Sequence, residues 1–293
     1  MLRTEPFESW DLTIPSLPRR SRLCPLEPIG VGTHLVESLT GYVARLAEAH
    51  ATTVSNLVGF VLAEYSSSEA PIISARTKKT RSGTGFKPGT HAINGVAEDA
   101  RRWILAAEAA TCRTDLRFLT LFPLRQIFCK QRLLRVVQAW CPQCLEEWHH
   151  NDQSIYLPLA WNLRFATVCT RHRRELEEAC PHCCRSFGPL FAEARPGYCS
   201  RCRQWLGTSP CSGSNRALAT DSVERRCWLA NALGDLLAVM SESEGQPLCE
   251  TFRQNFSRLG PHKASPRFRD RPGGRRRERR PVTGVPDAHG ARL

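Results

Sequence analysis

The pattern of apolar and polar positions divides the chain into an irregular beginning and a helical region. Residues 1–32 are rich in proline, which is excluded from helix interiors, so they predict an extended arm over the first domain. The next segment, VESLTGYVARLAEAH, places Leu39, Val43 and Leu46 at the spacing of an amphipathic helix. A turn at residues 51–53, with two threonines that can cap a helix, leads into VSNLVGFVLAEY. The pattern therefore predicts a helix, a short turn and a second, more apolar helix.

This pair of helices is compatible with two structures. In a helix-turn-helix unit, the second helix lies in a groove of DNA and reads the base edges. In an ordinary pair of packed helices, the second helix belongs to the core instead. Its apolar residues favour that alternative, and they are Val54, Leu57, Val58, Val61 and Leu62. The sequence leaves both interpretations open.

Two further segments carry basic residues that could contact DNA phosphates. Residues 66–92 predict a long polar loop, and the helical pattern returns at AEDARRWILAAEAAT, with Trp103 and Ile104 on its apolar face. After a break at Pro123, the pattern predicts a basic amphipathic helix. In the loop and in this helix, a solvated surface is the alternative explanation. The candidate phosphate contacts are Lys78, Lys79, Arg81 and Lys87 in the loop, and Arg125, Lys130, Arg132 and Arg135 in the helix.

The chain is basic, with 41 Lys/Arg against 28 Asp/Glu and a formal net charge of +13. Over half of this excess lies in residues 261–293, which carry ten Lys/Arg and three Asp/Glu. This tail is rich in proline, glycine and arginine and has few apolar residues, so we expect residues 259–293 to be disordered. The excess of positive charge predicts a polyanionic partner such as DNA.

The 14 cysteines of the chain indicate metal binding rather than disulfides. The N-terminal segment lacks the apolar stretch and cleavage site of a secretory signal, so we expect a reducing, cytoplasmic location. No stretch approaches 18 consecutive apolar residues, so no membrane span is predicted. In a reducing compartment, cysteines at CxxC spacing are more often metal ligands than disulfide partners.

Eight residues form four chelating pairs in order: Cys141/Cys144, Cys169/His172, Cys180/Cys183 and Cys199/Cys202. A gap of two residues lets both side chains of one tight turn bind a single ion, and four sulfur or nitrogen ligands complete a tetrahedral zinc site. The simplest assignment is sequential, with the first two pairs holding one Zn²⁺ and the last two the other, because it closes the shorter loops. In a cross-braced alternative, the first and third pairs share an ion.

Both expected zinc sites are filled by protein ligands, which is typical of structural rather than catalytic zinc. A catalytic ion keeps one position open for water, and the chain contains no HExxH, Walker A, GxSxG or dinucleotide-binding motif. We therefore predict two structural zinc ions, no catalytic residues and no enzymatic activity. His182 is expected to be a bystander within CPHC, and the spacing favours Cys183 over the adjacent Cys184 as a ligand.

Three segments, taken in order, resemble the TniQ family of transposition proteins. They are LEPIGVGTHLVESLTGYVARLAEAH, TDLRFLTLFPLRQIFCKQRLLRVVQAWCPQCLEEW and YLPLAWNLRFATVCTRHRRELEEACPHC, and the resemblance covers about residues 20–205. It implies a non-catalytic accessory protein that takes part in choosing the insertion site of a transposon. It also implies partners: target DNA or an RNA-guided CRISPR effector complex, and the transposon's AAA+ ATPase, which recruits the transposase. A generic zinc-finger regulator that binds nucleic acid outside transposition is the alternative, and a homodimer is compatible with either.

The expected fold is mainly α-helical, with small zinc-ribbon-like α+β modules. The arm precedes a helix-turn-helix-like domain at residues 33–138. Tandem zinc modules follow at residues 139–210, then a C-terminal helical segment at residues 211–258 and the basic tail at residues 259–293.

Overall fold

The computed structural model describes residues 20–65, 90–126, 128, 133–207 and 220–241. Within these residues the protein is mainly helical, as the sequence predicts. The helices are α1 (Leu39–Ala49), α2 (Val54–Phe60), α3 (Glu98–Thr111), α4 (Pro142–His150) and α5 (Thr220–Val239). One hairpin joins β1 (Val168–Cys169) to β2 (Arg174–Glu175), and short 3₁₀ turns lie at Leu62–Tyr65, Thr90–Asn94, Leu116–Leu119, Phe122–Leu124 and Leu159–Asn162. The predicted disordered tail lies outside the described residues.

The first two helices confirm the predicted helix, turn and helix. Ser38 caps α1 by accepting a hydrogen bond from the N–H of Gly41 at 3.2 Å. Thr53 caps α2 in the same way, accepting from the N–H of Asn56 at 3.2 Å. Such caps satisfy N–H groups that the first turn of a helix leaves without a partner. The two local signals, apolar spacing and a capping serine or threonine, therefore set where these helices begin.

Helix α3 also follows its sequence pattern, with Trp103 and Ile104 buried on the face that contacts the 3₁₀ turn at Leu62–Tyr65. The helix ends at Cys112, whose φ of 55° lies in the left-handed region. The N-cap residue of α3 is Ala97, whose side chain cannot form a capping hydrogen bond. The N-terminus of α3 therefore relies on the acidic residues of its first turn, Glu98 and Asp99.

The prediction of a basic helix after Pro123 is wrong for the described residues. Pro123 lies in the 3₁₀ turn Phe122–Leu124, and Arg125 follows in a turn. The backbone at residues 133–135 is extended, because Leu134 pairs with Leu163 in an antiparallel bridge, and the chain bends at Val136. The backbone N–H of Arg135 donates to the carbonyl of Asn162 at 2.8 Å. Pairing with a segment almost 30 residues away thus replaces the helical periodicity of the local sequence.

The main hydrophobic core lies between α1, α2 and α3 and continues into later parts of the chain. Leu159 and Leu163 contribute to it from the segment before β1, as do Leu237 of α5 and Met240 just after that helix. The core therefore includes residues from both sides of the predicted domain boundary at residue 138.

An ion pair joins the entry of α1 to its second turn within this core. The carboxylate of Glu37 is fully buried and accepts two hydrogen bonds from Arg45, at 3.0 and 2.8 Å. Burial raises the pKa of Glu37, whereas Arg45 acts in the opposite direction by stabilising the ionised form. Arg45 also donates to the carbonyl of Glu27 at 2.7 Å, which fastens the described end of the arm to α1.

Helix α5 lies within the predicted C-terminal helical segment and packs against β1 and the turn at Leu159–Asn162. Its buried face includes Cys227, Ala230 and Gly234. A side chain at Gly234 would lie 2.8 Å from the ring of His34, which bonds to Asp235 at 2.8 Å. Among helices of the described residues, none has the length and apolar character needed to cross a membrane.

Candidate metal centres

The first cluster brings together the side chains of Cys141, Cys144, Cys169 and His172. The two cysteines of the first pair lie at the N-terminus of α4, where Pro142 occupies the first turn. The second pair lies on the β1–β2 hairpin, with Cys169 at the end of β1. Reciprocal hydrogen bonds between Trp140 and Glu177, at 3.0 and 2.8 Å, hold the entry of α4 beside the hairpin. The positive end of the helix and the hairpin turn therefore face one another.

The second cluster brings together Cys180, Cys183, Cys199 and Cys202. The Sγ atoms of Cys180 and Cys202 are 3.6 Å apart, and those of Cys183 and Cys199 are 3.8 Å apart. The structure thus groups the ligands sequentially, in the arrangement that the sequence favours, and not in the cross-braced one.

Three of the four chelating turns share one backbone conformation. In each, the N–H of the residue four positions after the first cysteine donates to that cysteine's carbonyl at 2.8 Å. That residue has a positive φ, between 49° and 62°, which reverses the chain. A backbone N–H two or three residues after the cysteine also lies 3.4 to 3.5 Å from its Sγ. The turns begin at Cys169, Cys180 and Cys199, and their left-handed residues are Arg173, Cys184 and Arg203.

The spacing of the ligand atoms fits a tetrahedral ion. With Zn–S bonds of about 2.3 Å and Zn–N bonds of about 2.0 Å, tetrahedral geometry gives S–S edges of about 3.8 Å and S–N edges of about 3.5 Å. In the first cluster, the Nδ1 atom of His172 lies 3.6, 3.3 and 3.7 Å from the Sγ atoms of Cys141, Cys144 and Cys169. The sulfur edges given above, 3.6 and 3.8 Å, agree equally well. Both clusters can therefore hold a metal ion.

In each cluster the pKa is raised for two thiols and lowered for one, which is Cys169 in the first cluster and Cys202 in the second. Burial raises the pKa of the Cys180 thiol to about 12. In the first cluster, hydrogen bonding with the Cys141 thiol raises the pKa of Cys144. Because thiolates are the metal-binding form of cysteine, loading of the clusters releases protons.

Glu147 orients the histidine of the first cluster and is a residue that the sequence analysis missed. Its Oε1 atom lies 2.6 Å from Nε2 of His172, on the opposite side of the ring from the ligand atom Nδ1. Its other oxygen pairs with Arg171 at 2.7 Å. Metal-binding histidines usually donate their second N–H to a carboxylate, which fixes the tautomer. The hydrogen bond from His172 lowers the pKa of Glu147, so the carboxylate is ionised for this task.

The preceding residue, Glu146, connects α4 to the second cluster. Its carboxylate accepts a hydrogen bond from the indole N–H of Trp205 at 2.9 Å. The ring of His149 lies against the same indole, with centroids 5.1 Å apart. A Cβ atom at Gly197 or Gly207 would lie only 2.4 Å from Trp205 atoms, so both glycines are needed for this close packing. Adjacent carboxylates on one helix thus contact a ligand of the first cluster and a residue next to the second cluster.

The family comparison agrees with the order of these elements. The TniQ family profile matches residues 28–176, which is just over half of the chain. The chain belongs to the TniQ family. No curated protein gives a significant match. The TniQ match contains α1 to α4 and the whole first cluster, and it ends four residues before Cys180, so the second cluster lies beyond it.

TniQ membership indicates an accessory role associated with transposition and is consistent with a protein that is not an enzyme. It favours this role over that of a zinc-finger regulator unrelated to transposition. The geometry agrees, because each cluster supplies four protein ligands and so fills a tetrahedral ion completely.

Two further residues of this TniQ protein, His182 and Cys184, lie close to the second cluster but outside its set of four ligands. Nε2 of His182 lies 3.0 Å from the backbone carbonyl of Trp205, and His182 is not among the four residues whose ligand atoms converge in the second cluster. Cys184 is exposed and occupies the left-handed position of its turn. Both findings agree with the sequence prediction for CPHC.

The predicted phosphate contacts are only partly within the described residues. The four loop residues lie outside them, namely Lys78, Lys79, Arg81 and Lys87, as do Lys130 and Arg132. Arg125 is exposed, with its guanidinium over the ring of Phe122 at 4.6 Å. Arg135 instead points inward, donating to the carbonyls of Leu163 and Ala166 at 3.1 and 2.7 Å and pairing with Glu178. Its guanidinium therefore stabilises the segment before β1 and is not available to a phosphate.

The helix pair α1–α2 has the predicted helix-turn-helix-like arrangement but little positive charge. Arg45 is the single Lys or Arg in residues 36–65, and it is bound to Glu37 and to the carbonyl of Glu27. Helix α2 exposes Asn56, Gly59 and Phe60 instead. The charge of this pair therefore favours the packed-helix interpretation, and reading of DNA by α2 stays a prediction.

Proposed function

We propose that this chain is a non-catalytic adaptor of transposition that holds two structural zinc ions and links a target to the transposon's AAA+ ATPase. The observation that carries the proposal is the pairing of TniQ membership with two saturated four-ligand clusters. A hydrolytic zinc enzyme needs an open coordination position and a nearby base, and neither ligand set provides that position.

Zinc is the ion that suits the ligand sets best. Three thiolates with one imidazole, and four thiolates, are typical tetrahedral zinc sites. The second module, residues 180–207, has few core residues of its own besides its cysteines, so the ion supplies much of its folding free energy. Its role is to keep the Trp205 contact with α4 in place, and it takes no part in bond breaking.

DNA is the expected target ligand, and the sequence assigns most of the attractive charge to two segments. Residues 66–89 carry five Lys/Arg and one Asp/Glu, and residues 261–293 carry ten and three. Together these segments account for +11 of the net +13. Binding through them would be dominated by phosphate contacts and would weaken steeply as salt rises. An RNA-guided CRISPR complex is the other target class, and no residue of the described structure favours it.

The test is co-purification with the AAA+ ATPase encoded beside this chain. The zinc-loaded protein is immobilised and mixed with the ATPase, with and without duplex DNA, and an ATPase variant that cannot hydrolyse ATP is included to trap the complex. The adaptor function predicts retention of the ATPase and two zinc ions per chain by elemental analysis. Binding of DNA without any retention of the ATPase would contradict the adaptor function and favour a zinc-containing DNA-binding protein.

A further inference from the structure

The residues between the two cysteine pairs of the second cluster run across the α1–α2 helix pair. These residues, 184–198, are called the strap, and they lie between Cys183 and Cys199, whose Sγ atoms are 3.8 Å apart. Leu190 of the strap is buried in the main hydrophobic core together with residues of α1, α2 and α3, and Ala194 packs against that core. A segment that begins and ends at a metal cluster therefore contributes to the core of the helical region.

The strap contacts both helices beside the turn that joins them. The backbone carbonyl of Ala192 accepts a hydrogen bond at 3.0 Å from the N–H of Ser55, in the first turn of α2. That N–H is one of the four that a helix cannot satisfy internally, so the strap completes the cap that Thr53 begins. At the end of α1, Glu48 pairs with Arg195 at 2.6 Å. The strap is therefore bonded to the last turn of α1 and to the first turn of α2.

The same part of the strap is fixed to the second cluster. The guanidinium of Arg195 lies over the ring of Tyr198 at 4.4 Å, and the N–H of Tyr198 donates to the carbonyl of Arg195 at 3.1 Å. Tyr198 directly precedes the ligand Cys199. Glu193 also pairs with Arg203, the left-handed residue of the chelating turn that begins at Cys199. The position of the strap on the helices therefore depends on the fold of this turn.

Helix α2 needs contacts of this kind. It has seven residues, and isolated helices of fewer than about 12 residues are marginal in water. A groove of about 480 Å³ lies between the strap and the α1–α2 turn, and Thr52, Thr53 and Ala194 are among the residues that line it. Because packing on this side is incomplete, the bonds from the strap account for much of the contact.

We propose that metal occupancy of the second cluster controls how firmly α2 is held against α1, through the strap. A bound ion joins the two ends of the strap and so keeps the Ala192 carbonyl at the first turn of α2. When the second cluster is empty, α2 loses this cap and the helix pair loosens, while α3 and the first cluster keep their own contacts. The inference rests on the proposed content of two zinc ions and adds a conformational role for the second one.

Hydrogen–deuterium exchange of the full-length chain, measured for each helix, tests this inference. Cys199→Ser removes a ligand of the second cluster, and Cys184→Ser is the matched control, the same substitution at an exposed cysteine that is not a ligand. Arg195→Glu keeps all eight ligands and places a like charge beside Glu48. Its control is Arg201→Glu, at an exposed arginine that forms no ion pair within the described residues. Elemental analysis gives the zinc content of each preparation.

We expect one zinc ion in Cys199→Ser and exchange of the α2 amides that is about tenfold faster or more, with the α3 amides within about twofold of the wild type. Arg195→Glu should keep two ions and speed exchange in α2 only about two- to fivefold, because the pair it disrupts is exposed. Adding Glu48→Lys to Arg195→Glu restores opposite charges and should restore the protection. Both controls should match the wild type.

Three results would overturn the inference. The first is exchange of α2 in Cys199→Ser that equals exchange in Cys184→Ser. The second is an equal rise for α2 and α3, since the ion would then stabilise the whole chain and not the helix pair in particular. The third is a wild-type chain that holds only one ion, which would also contradict the proposed second zinc site. In each case the link to the ATPase is judged separately, by the co-purification described above.

Discussion

The contact between Glu147 and His172 offers a direct test of how α4 tunes the first metal centre. We consider two substitutions of graded severity. Glu147→Gln keeps an oxygen that can accept the hydrogen bond but removes the charge, whereas Glu147→Ala removes both. Because the His172 side chain is only 13% exposed, water replaces the lost partner poorly.

The expected magnitude follows from the geometry. A hydrogen bond of 2.6 Å between an imidazole and an ionised carboxylate is short and charge-assisted. Loss of such an outer partner typically weakens metal affinity by about 10- to 100-fold. We expect the lower value for Glu147→Gln, about 1.4 kcal/mol, and the higher value for Glu147→Ala, about 2.7 kcal/mol. The exposed pair between Glu147 and Arg171 contributes little to this difference.

The assay is a competition titration against a chromophoric chelator, which separates two ions of different affinity. In the Glu147 variants one of the two ions should be lost at lower chelator concentration, while the other is unchanged. Glu146→Gln is the matched control, since that neighbour bonds to Trp205 and not to His172. Unchanged zinc affinity in Glu147→Ala, or an equal loss in Glu146→Gln and Glu147→Gln, would refute the assigned role.

Three further predictions concern other parts of the molecule. Cys180→Ser should reduce the zinc content from two ions to one and unfold residues 180–207, because the ion supplies folding free energy; elemental analysis with limited proteolysis checks this, and a fully folded two-zinc variant would contradict it. Arg135→Met should lower the free energy of unfolding by about 3 kcal/mol in urea titrations, since it leaves two carbonyls without donors, while DNA affinity stays the same. Removal of residues 261–293 should weaken DNA binding and flatten its salt dependence without changing ATPase retention, as fluorescence anisotropy at several salt concentrations would reveal.

Features of the fold that depend on neighbouring residues could be predicted from the sequence. Helices α1 and α2 follow from apolar spacing and from the capping residue Thr53, which act within one or two turns. The eight ligands follow from four two-residue gaps, because each gap is a single turn of backbone. Family resemblance was visible for the same reason, since these local patterns recur in a fixed order.

Features that depend on distant contacts could not be predicted in this way. The region around Arg135 has a helical pattern of charge, yet its backbone pairs with residues 162–164. Nothing in the local sequence predicts that pairing. The adjacent carboxylates Glu146 and Glu147 look equivalent in CPQCLEEW. Their separation depends on the 100° rotation per residue of α4 and on the position of Trp205, which only the folded chain provides. An acidic pair one turn after a ligand cysteine is the signal that could have indicated Glu147.

The two carboxylates of α4 have a consequence for how this protein gains and loses its ions. Glu147 contacts the ligand His172, and Glu146 contacts Trp205 of the second module, so the same nine-residue helix is held beside both clusters. If one ion leaves, the helix loses an anchor, and the remaining site must hold its geometry without that support. Chelation should therefore empty the two sites one after the other, and the surface around α4 would lose its supports in two steps as zinc becomes scarce.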